Sequence, residues 1–178
     1  MPRVPYVPAD LAEPADLVAA IRARRGGSLI NLDRMLLHSP PFAAGWNGFL
    51  KAVRGDLALH PKLKELAMCV VAVINGAEYE FVHHAPEFLR AGGTQAQVDA
   101  MRDPEHALAD TARFDALERA ALALTIAMTR HVKVEDAVFE AVRSRLGERE
   151  TVELVGVIAA YNMVSRFLVA LGVEPEQD

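Results

Sequence analysis

Apolar residues recur along the chain at the three- and four-residue spacing of α-helices, and no segment has the pattern of a β-strand or hairpin. Proline, glycine and capping residues divide this pattern into segments. It therefore predicts an all-α fold, a single domain over residues 1–178 with about eight or nine helices and an extended arm at residues 1–13. The predicted helices span residues 14–25, 31–37, 42–53, 61–74, 78–90, 94–102, 115–130, 135–146 and 150–171. The polar stretch 103–113 is predicted to be a mobile loop.

Two of the predicted helices contain conflicting signals. Residues 68–74 are apolar enough for a buried strand, but apolar residues recur at helical spacing from Leu63 to Val70, which favours a helix. The second half of this helix is apolar on all sides, so it should be buried on all sides. Pro86 lies inside the segment 78–90 and is expected to kink or split that helix.

Composition narrows the classes of function. With 19 basic and 24 acidic residues the net charge is −5, which disfavours a nucleic-acid partner. The single cysteine, Cys69, excludes an intramolecular disulfide framework, a Cys-x-x-Cys redox pair and a thiolate zinc cage. The longest apolar run, residues 66–74, is too short to cross a membrane, and the N-terminus lacks the apolar run of a signal peptide. A cytoplasmic protein is therefore expected.

Hydrophobic residues make up 52% of the chain, more than a small domain needs for its own core. The excess lies in two segments, residues 66–74 and 152–164, which are apolar on nearly every side. Part of this surface should therefore contact another subunit, and a homo-oligomer is predicted.

Candidate chemistry is concentrated in one cluster, residues 78–84, with the sequence EYEFVHH. On a helix, Glu80 and His84 lie four residues apart and share a face, and a carboxylate beside an imidazole is the arrangement that general acid–base catalysis uses. The same spacing also fits an ion pair on a solvated surface. A third possibility is a metal site in which His83 and His84 are joined by the distant His131.

Two charged residues and the cysteine lie in otherwise apolar segments. Glu65 opens the helix predicted at residues 61–74, where it either faces outward at the first turn or is paired inside. Arg166 has apolar neighbours and should pair with a carboxylate or reach an anionic ligand. Cys69 is a poor nucleophile, because burial in an apolar helix leaves a thiol inert.

Two segments resemble the carboxymuconolactone decarboxylase family, which includes the alkylhydroperoxidase-D-like proteins. They are LALHPKLKELAMCVVAVINGAEYEFVHHAPEFLRAGGTQAQVDAM at residues 57–101 and VELVGVIAAYNMVSRFLVALGVEP at residues 152–175. The resemblance implies an all-helical fold that assembles as dimers, trimers or hexamers, with the site near the subunit contacts.

The peroxidase branch of this family carries a glutamate, then a Cys-x-x-Cys pair, then a histidine four residues after the second cysteine. The matching positions here are Glu65, Ala77, Glu80 and His84, so the glutamate and the histidine are kept and both thiols are replaced. Thiol-dependent peroxide reduction needs one thiolate to attack and a second thiol to resolve the product. The chain is therefore predicted not to be a disulfide-cycling peroxidase.

The decarboxylase-like branch also lacks the cysteine pair. Resemblance to it implies acid–base chemistry, with no metal and no cofactor, on a small carboxylated lactone or related acid. His84 would be the acid and base, and Glu80 or Glu65 would orient it. The candidate substrate contacts are His83, Tyr79 and Arg166. The expected partners are a small-molecule substrate and further copies of the chain, with no nucleic acid and no membrane.

Two other functions stay open. One is an antioxidant activity of the alkylhydroperoxidase or peroxiredoxin type, which the loss of both thiols disfavours. The other is a non-catalytic oligomeric ligand-binding protein. Its mark would be a buried, fully hydrogen-bonded His84 with no cavity beside it.

Overall fold

Nine α-helices follow one another along residues 1–176, which the computed structural model describes, and no strand occurs among these residues. They are α1 (Ala15–Arg24), α2 (Asn31–Leu36), α3 (Pro40–Gly55), α4 (Pro61–Ile74), α5 (Glu78–Arg90), α6 (Gln95–Ala100), α7 (Pro104–Ala109), α8 (Ala116–His131) and α9 (Asp136–Leu171). Within α9, Gly147 has a φ of 75° and a ψ of −177°, so the helix is interrupted there. The all-α prediction is confirmed, as is the predicted helix end at Gly147.

Helix α4 lies at the centre of the core and packs against α5, α8 and α9. Every residue from Leu66 to Ala72 is buried. A helix that is apolar on all sides is stable in water only where neighbours cover it all round, and α4 is covered in this way. The prediction of a buried helix rather than a strand is confirmed.

The prediction of a loop at residues 103–113 is wrong, because α7 lies within this stretch. The Asp103 side chain accepts a hydrogen bond from the backbone N–H of His106 at 3.1 Å, and Pro104 occupies the first turn. Ala107 is fully buried. An aspartate cap followed by proline is a helix start, and it outweighs the polar composition of the stretch.

The split expected at Pro86 does not occur, and α5 continues through this residue. A proline leaves the carbonyl four residues earlier without its helical donor. Here that carbonyl belongs to Val82, and both Val82 and Pro86 face solvent, where water can satisfy it.

The second strongly apolar segment forms the C-terminal part of α9. By length and composition alone α9 could cross a membrane, but its residues Leu154, Ile158 and Val164 are fully buried in the core. Large apolar side chains also remain exposed on α3 and α9, among them Phe42 and Phe49. They suit the expected subunit contact, although the homo-oligomer stays a prediction.

Four helices bring charged groups to one place. The connection 75–77 folds α5 back along α4, which places Glu65 opposite His84. The last turn of α3 supplies Arg54, and the buried face of α9 supplies Tyr161. These residues come from parts of the sequence far apart from one another, and the packing around α4 joins them.

Candidate functional site

Glu65 of α4 meets Glu80 and His84 of α5 between the two helices. The Nδ1 atom of His84 lies 2.6 Å from Oε2 of Glu65, and its Nε2 atom lies 3.2 Å from Oε2 of Glu80. The side chains of His84, Glu65 and Glu80 are 9%, 15% and 2% exposed, so water screens these contacts little. An imidazole held between two carboxylates can carry both ring protons and release one, as a proton relay does.

The two contacts of His84 differ in quality. The Nδ1 contact with Glu65 has the geometry of a hydrogen bond. The Nε2 contact has an ion-pair distance but poor hydrogen-bond alignment, and Oε2 of Glu80 is a buried oxygen without an aligned donor. Glu65 therefore orients the ring, and the proton on Nε2 is the one less firmly held.

Electrostatics keeps His84 protonated at neutral pH. Burial opposes the charge, but the hydrogen bond with Glu65 and the contact with Glu80 outweigh it and raise the pKa of His84 to about 9. Burial also acts against the charge of Glu80, yet His84 and Arg54 hold the pKa of Glu80 below its ordinary value. The site thus combines a buried imidazolium with the ionised carboxylate of Glu80.

Arg54 and Tyr161 complete the charged cluster. The Nε atom of Arg54 donates a hydrogen bond to the hydroxyl of Tyr161 at 2.8 Å. The Tyr161 ring packs edge-on against His84, with ring centroids 4.9 Å apart. Among residues 1–176, the two terminal guanidinium nitrogens of Arg54 have no hydrogen-bond acceptor and no carboxylate within ion-pair distance. They are free to bind an anion.

A cavity of about 320 Å³ lies beside these groups. Its buried wall includes Glu80 and His84, and its more exposed rim includes Arg25 and His83. Such a volume suits a small molecule. The complete lining consists of Arg25, Ile30, Leu32, Arg54, Glu65, Tyr79, Glu80, His83, His84 and Glu87.

Tyr79 and His83 lie one helical turn apart on α5, and their rings stack with centroids 4.4 Å apart. The Nδ1 atom of His83 donates a hydrogen bond to the Tyr79 carbonyl at 2.7 Å. Both side chains also contact Glu176, the last residue that the structure describes. The Tyr79 hydroxyl donates a hydrogen bond to its Oε1 at 3.1 Å, and Nε2 of His83 lies 3.2 Å from its Oε2. Burial, together with Glu176, raises the pKa of Tyr79, so this hydroxyl stays neutral.

The structure thus brings five of the six residues predicted for the site to one cavity, namely Glu65, Tyr79, Glu80, His83 and His84. It does not bring Arg166 there. Arg166 is exposed on α9, and its guanidinium donates hydrogen bonds to the carbonyl and the side chain of Asn162, one turn earlier. The expectation that Arg166 contacts the substrate therefore needs correction, and Arg54 occupies the corresponding place.

Cys69 and His131 also lie away from the cavity lining. Cys69 is fully buried in α4, and burial, with Glu65 nearby, raises the pKa of its thiol. His131 is exposed at the end of α8. In the part of the chain that the structure describes, no three His, Cys, Asp or Glu side chains are arranged to hold a metal ion.

Comparison with known proteins agrees with this fold. The model of the carboxymuconolactone decarboxylase family matches residues 40–127, the segment that carries Arg54, all three glutamates and both histidines of the cavity. The comparison with curated proteins finds no match.

Solved structures match the fold over almost the whole chain. An uncharacterized peroxidase-related protein with an alkylhydroperoxidase AhpD core, from Ralstonia eutropha JMP134, has a TM-score of 0.82 at 20% identity, covering 99% of this chain and 93% of its own. An uncharacterized peroxidase-related protein from Silicibacter sp. TM1040 has a TM-score of 0.80 at 19% identity, covering 98% and 92%. The debrominase Bmp8, as a cysteine-to-alanine variant in complex with 2,3,4-tribromopyrrole, also reaches 0.80 at 19% identity, covering 97% and 92%.

At 19–20% identity the structural matches support the fold alone, and the family model supports a family assignment for residues 40–127. Both comparisons agree with the helical architecture, and the range matched by the family model includes Glu65 and His84. Residues 40–127 therefore match the carboxymuconolactone decarboxylase family, and the chain has the alkylhydroperoxidase-D-like fold.

Proposed function

We propose that the protein is an acid–base lyase or decarboxylase that acts on a small carboxylated, lactone-like metabolite without a cofactor. The observation that carries this proposal is the arrangement of Glu65, His84 and Glu80 along the wall of a polar cavity, where His84 is an imidazolium. A residual, non-catalytic histidine would be hydrogen-bonded with no cavity beside it, whereas His84 has a cavity of about 320 Å³ beside it.

Arg54 defines the substrate class in this proposal. A cation whose terminal nitrogens lack partners in a partly buried site favours an anion, and a guanidinium matches a carboxylate with two parallel hydrogen bonds. The remaining lining is mixed, with apolar Ile30 and Leu32 beside Tyr79. This lining suits a compact ring or short chain that carries a carboxylate.

The proposed reaction uses the groups of the cavity directly. Arg54 holds the substrate carboxylate while the bond between that carboxylate and the neighbouring carbon breaks. Carbon dioxide leaves, and the electron pair passes into the conjugated carbonyl as an enolate. His84 Nε2 then donates its proton to the carbon, which leaves the imidazole neutral, and solvent restores the proton to His84. Glu65 keeps the ring oriented, and Glu80 offsets the positive charge of His84 before the transfer and again after reprotonation.

A peroxidase activity, suggested by the names of the two peroxidase-related proteins, has less support. Ala77 and Glu80 stand where that branch has its cysteines, and the single thiol, on Cys69, is fully buried. A thiolate that cannot form and cannot reach the cavity cannot attack a peroxide.

The experiment that tests the proposal presents the protein with carboxylated five-membered lactones and β-keto acids in D₂O, because both contain a carbonyl that can take the electron pair. We expect carbon dioxide release from at least one class, with one solvent deuteron on the carbon that lost the carboxylate. Cys69→Ser should react at the wild-type rate, since Cys69 does not line the cavity. Peroxide consumption that disappears in Cys69→Ser, without carbon dioxide release, would contradict the proposal.

Arg54→Gln should lower kcat/KM about 10- to 100-fold, mainly through a higher KM, because the charge-assisted hydrogen bonds to the substrate carboxylate are lost. Steady-state kinetics on the substrate from the panel measures this effect. Lys51→Gln is the matched control, since it removes a cation from the exposed face of the same helix, away from the cavity. Equal KM values for both variants would show that Arg54 does not hold the substrate.

A further inference from the structure

The end of the described chain lies against the cavity rim. Residues 173–176 follow α9 and return to α2, where the Asn31 side-chain amide donates a hydrogen bond to the carbonyl of Glu174 at 3.1 Å. Val173 is buried, and the backbone N–H of Glu174 donates to the Tyr6 hydroxyl at 3.1 Å. This segment, which we call the C-terminal strap, is therefore held in a defined position beside the site.

The strap places a carboxylate on two residues of the cavity lining. Glu176 Oε1 accepts hydrogen bonds from the Tyr79 hydroxyl at 3.1 Å and from the Asn31 backbone N–H at 2.7 Å. Glu176 Oε2 lies 3.2 Å from Nε2 of His83. The Glu176 and His83 side chains are each 36% exposed, so the contact is open to solvent on one side and can be exchanged.

Tyr79 and His83 present the Tyr79 hydroxyl and the Nε2 edge of His83 together, and Nε2 donates to a carboxylate when the ring carries both protons. Tyr79 is buried and its ring stacks on that of His83, while the Nδ1 hydrogen bond of His83 to the Tyr79 carbonyl fixes the imidazole orientation. The free edge of the pair, Oη and Nε2, therefore points at a common ligand. In this structure that ligand is a carboxylate of the chain itself.

We propose that Tyr79 and His83 form a carboxylate subsite at the rim of the cavity, that Glu176 fills it as an internal competitor, and that a small carboxylate entering the cavity displaces Glu176 and releases the strap. The proposal rests on the proposed function for the chemical class of the ligand, a small carboxylic acid. The subsite would be a second place, beside Arg54, where the protein recognises a carboxylate. In the closed state the Glu176 side chain occupies this subsite.

The test measures binding of butyrate, a small monocarboxylate, to the full-length chain by calorimetry. When an internal competitor fills the site, the apparent Kd equals the intrinsic Kd divided by the fraction of open molecules. Glu176→Gln removes the competitor, so it should bind butyrate about tenfold more tightly than the wild type. Glu87→Gln is the matched control, because it removes one negative charge from the same cavity lining without touching the strap. Tyr79→Phe combined with Glu176→Gln should lose most of the gain.

A second measurement follows the strap itself. The Asn31 N–H is bonded to Glu176 in the closed state, so its hydrogen exchange should accelerate when butyrate is added to the wild type. Equal butyrate affinity of Glu176→Gln and Glu87→Gln, or an Asn31 exchange rate that butyrate does not change, would overturn the proposal. Both readouts are independent of turnover, so they succeed or fail separately from the proposed reaction.

Discussion

His84→Gln is expected to lower kcat about 10²- to 10⁴-fold, the usual contribution of a positioned general acid or base. Glutamine can hydrogen-bond to Glu65 but cannot carry a transferable proton at neutral pH. The measurement is the turnover of the lactone or keto acid that the wild type decarboxylates. In the wild type, kcat should fall as the pH rises through about 9, where His84 loses its proton.

Two further variants help to show whether His84→Gln loses activity because it lacks the transferable proton or because its fold is disturbed. His131→Gln removes an exposed histidine at the end of α8, outside the cavity, and should leave kcat unchanged. Glu80→Gln keeps the shape of the cavity wall but removes the charge that helps to keep His84 protonated. It should therefore shift the alkaline limb of the pH profile to lower pH. A His84→Gln variant that is folded and turns over at the wild-type rate would exclude His84 as the acid.

Much of the fold could be predicted because its signals are local. The helix predicted from residue 94 begins with a capping box, in which Thr94 and Gln97 form reciprocal hydrogen bonds, and Gly147 ends a helix as predicted. The prediction fails at residues 103–113, because the polar composition of the stretch indicates a loop whereas the Asp103 cap starts a helix. Local capping geometry decides such short helices, and average composition does not.

The candidate site was predictable to the extent that one helix carries it. The four-residue spacing of Glu80 and His84 places both on one face of α5, and the family resemblance supplied Glu65. Arg54 could not be found in this way, because it is the contribution of α3 and only the packing of α3 near α4 and α9 brings it to the cavity. No sequence spacing encodes such a contact between distant segments.

There is a geometric reason why Arg54 lines the cavity and Arg166 does not. Arg166 lies five positions after Tyr161, and at 3.6 residues per turn this spacing places the two side chains on different faces of α9. Tyr161 faces inward and binds Arg54, so Arg166 faces outward, where it binds Asn162. An arginine among apolar residues can thus lie at the edge of a buried stripe with its charge in solvent.

Raising the pH from about 6.5 to about 9 is expected to lower the free energy of unfolding by on the order of 3 kcal/mol. The folded chain binds the His84 proton more tightly than the unfolded chain does, because its pKa is raised from 6.5 to about 9. The resulting stabilisation is complete below pH 6.5 and is lost as the pH rises through about 9. The lowered pKa of Glu80 acts in the opposite direction: its contribution is present above the ordinary value of 4.5 and is lost as the pH falls below it.

Denaturant unfolding followed by circular dichroism at a series of pH values measures this slope without any substrate. His84→Gln should flatten the decline between pH 6.5 and 9, whereas His131→Gln should retain it, since His131 is exposed. If the wild-type curve is flat over this range, His84 is neutral in the folded protein at neutral pH. The imidazole would then have no proton to give, and the acid step proposed for the cavity would fail together with the electrostatic description of the site. A slope that persists in His84→Gln would assign the titration to another group and would contradict the raised pKa directly.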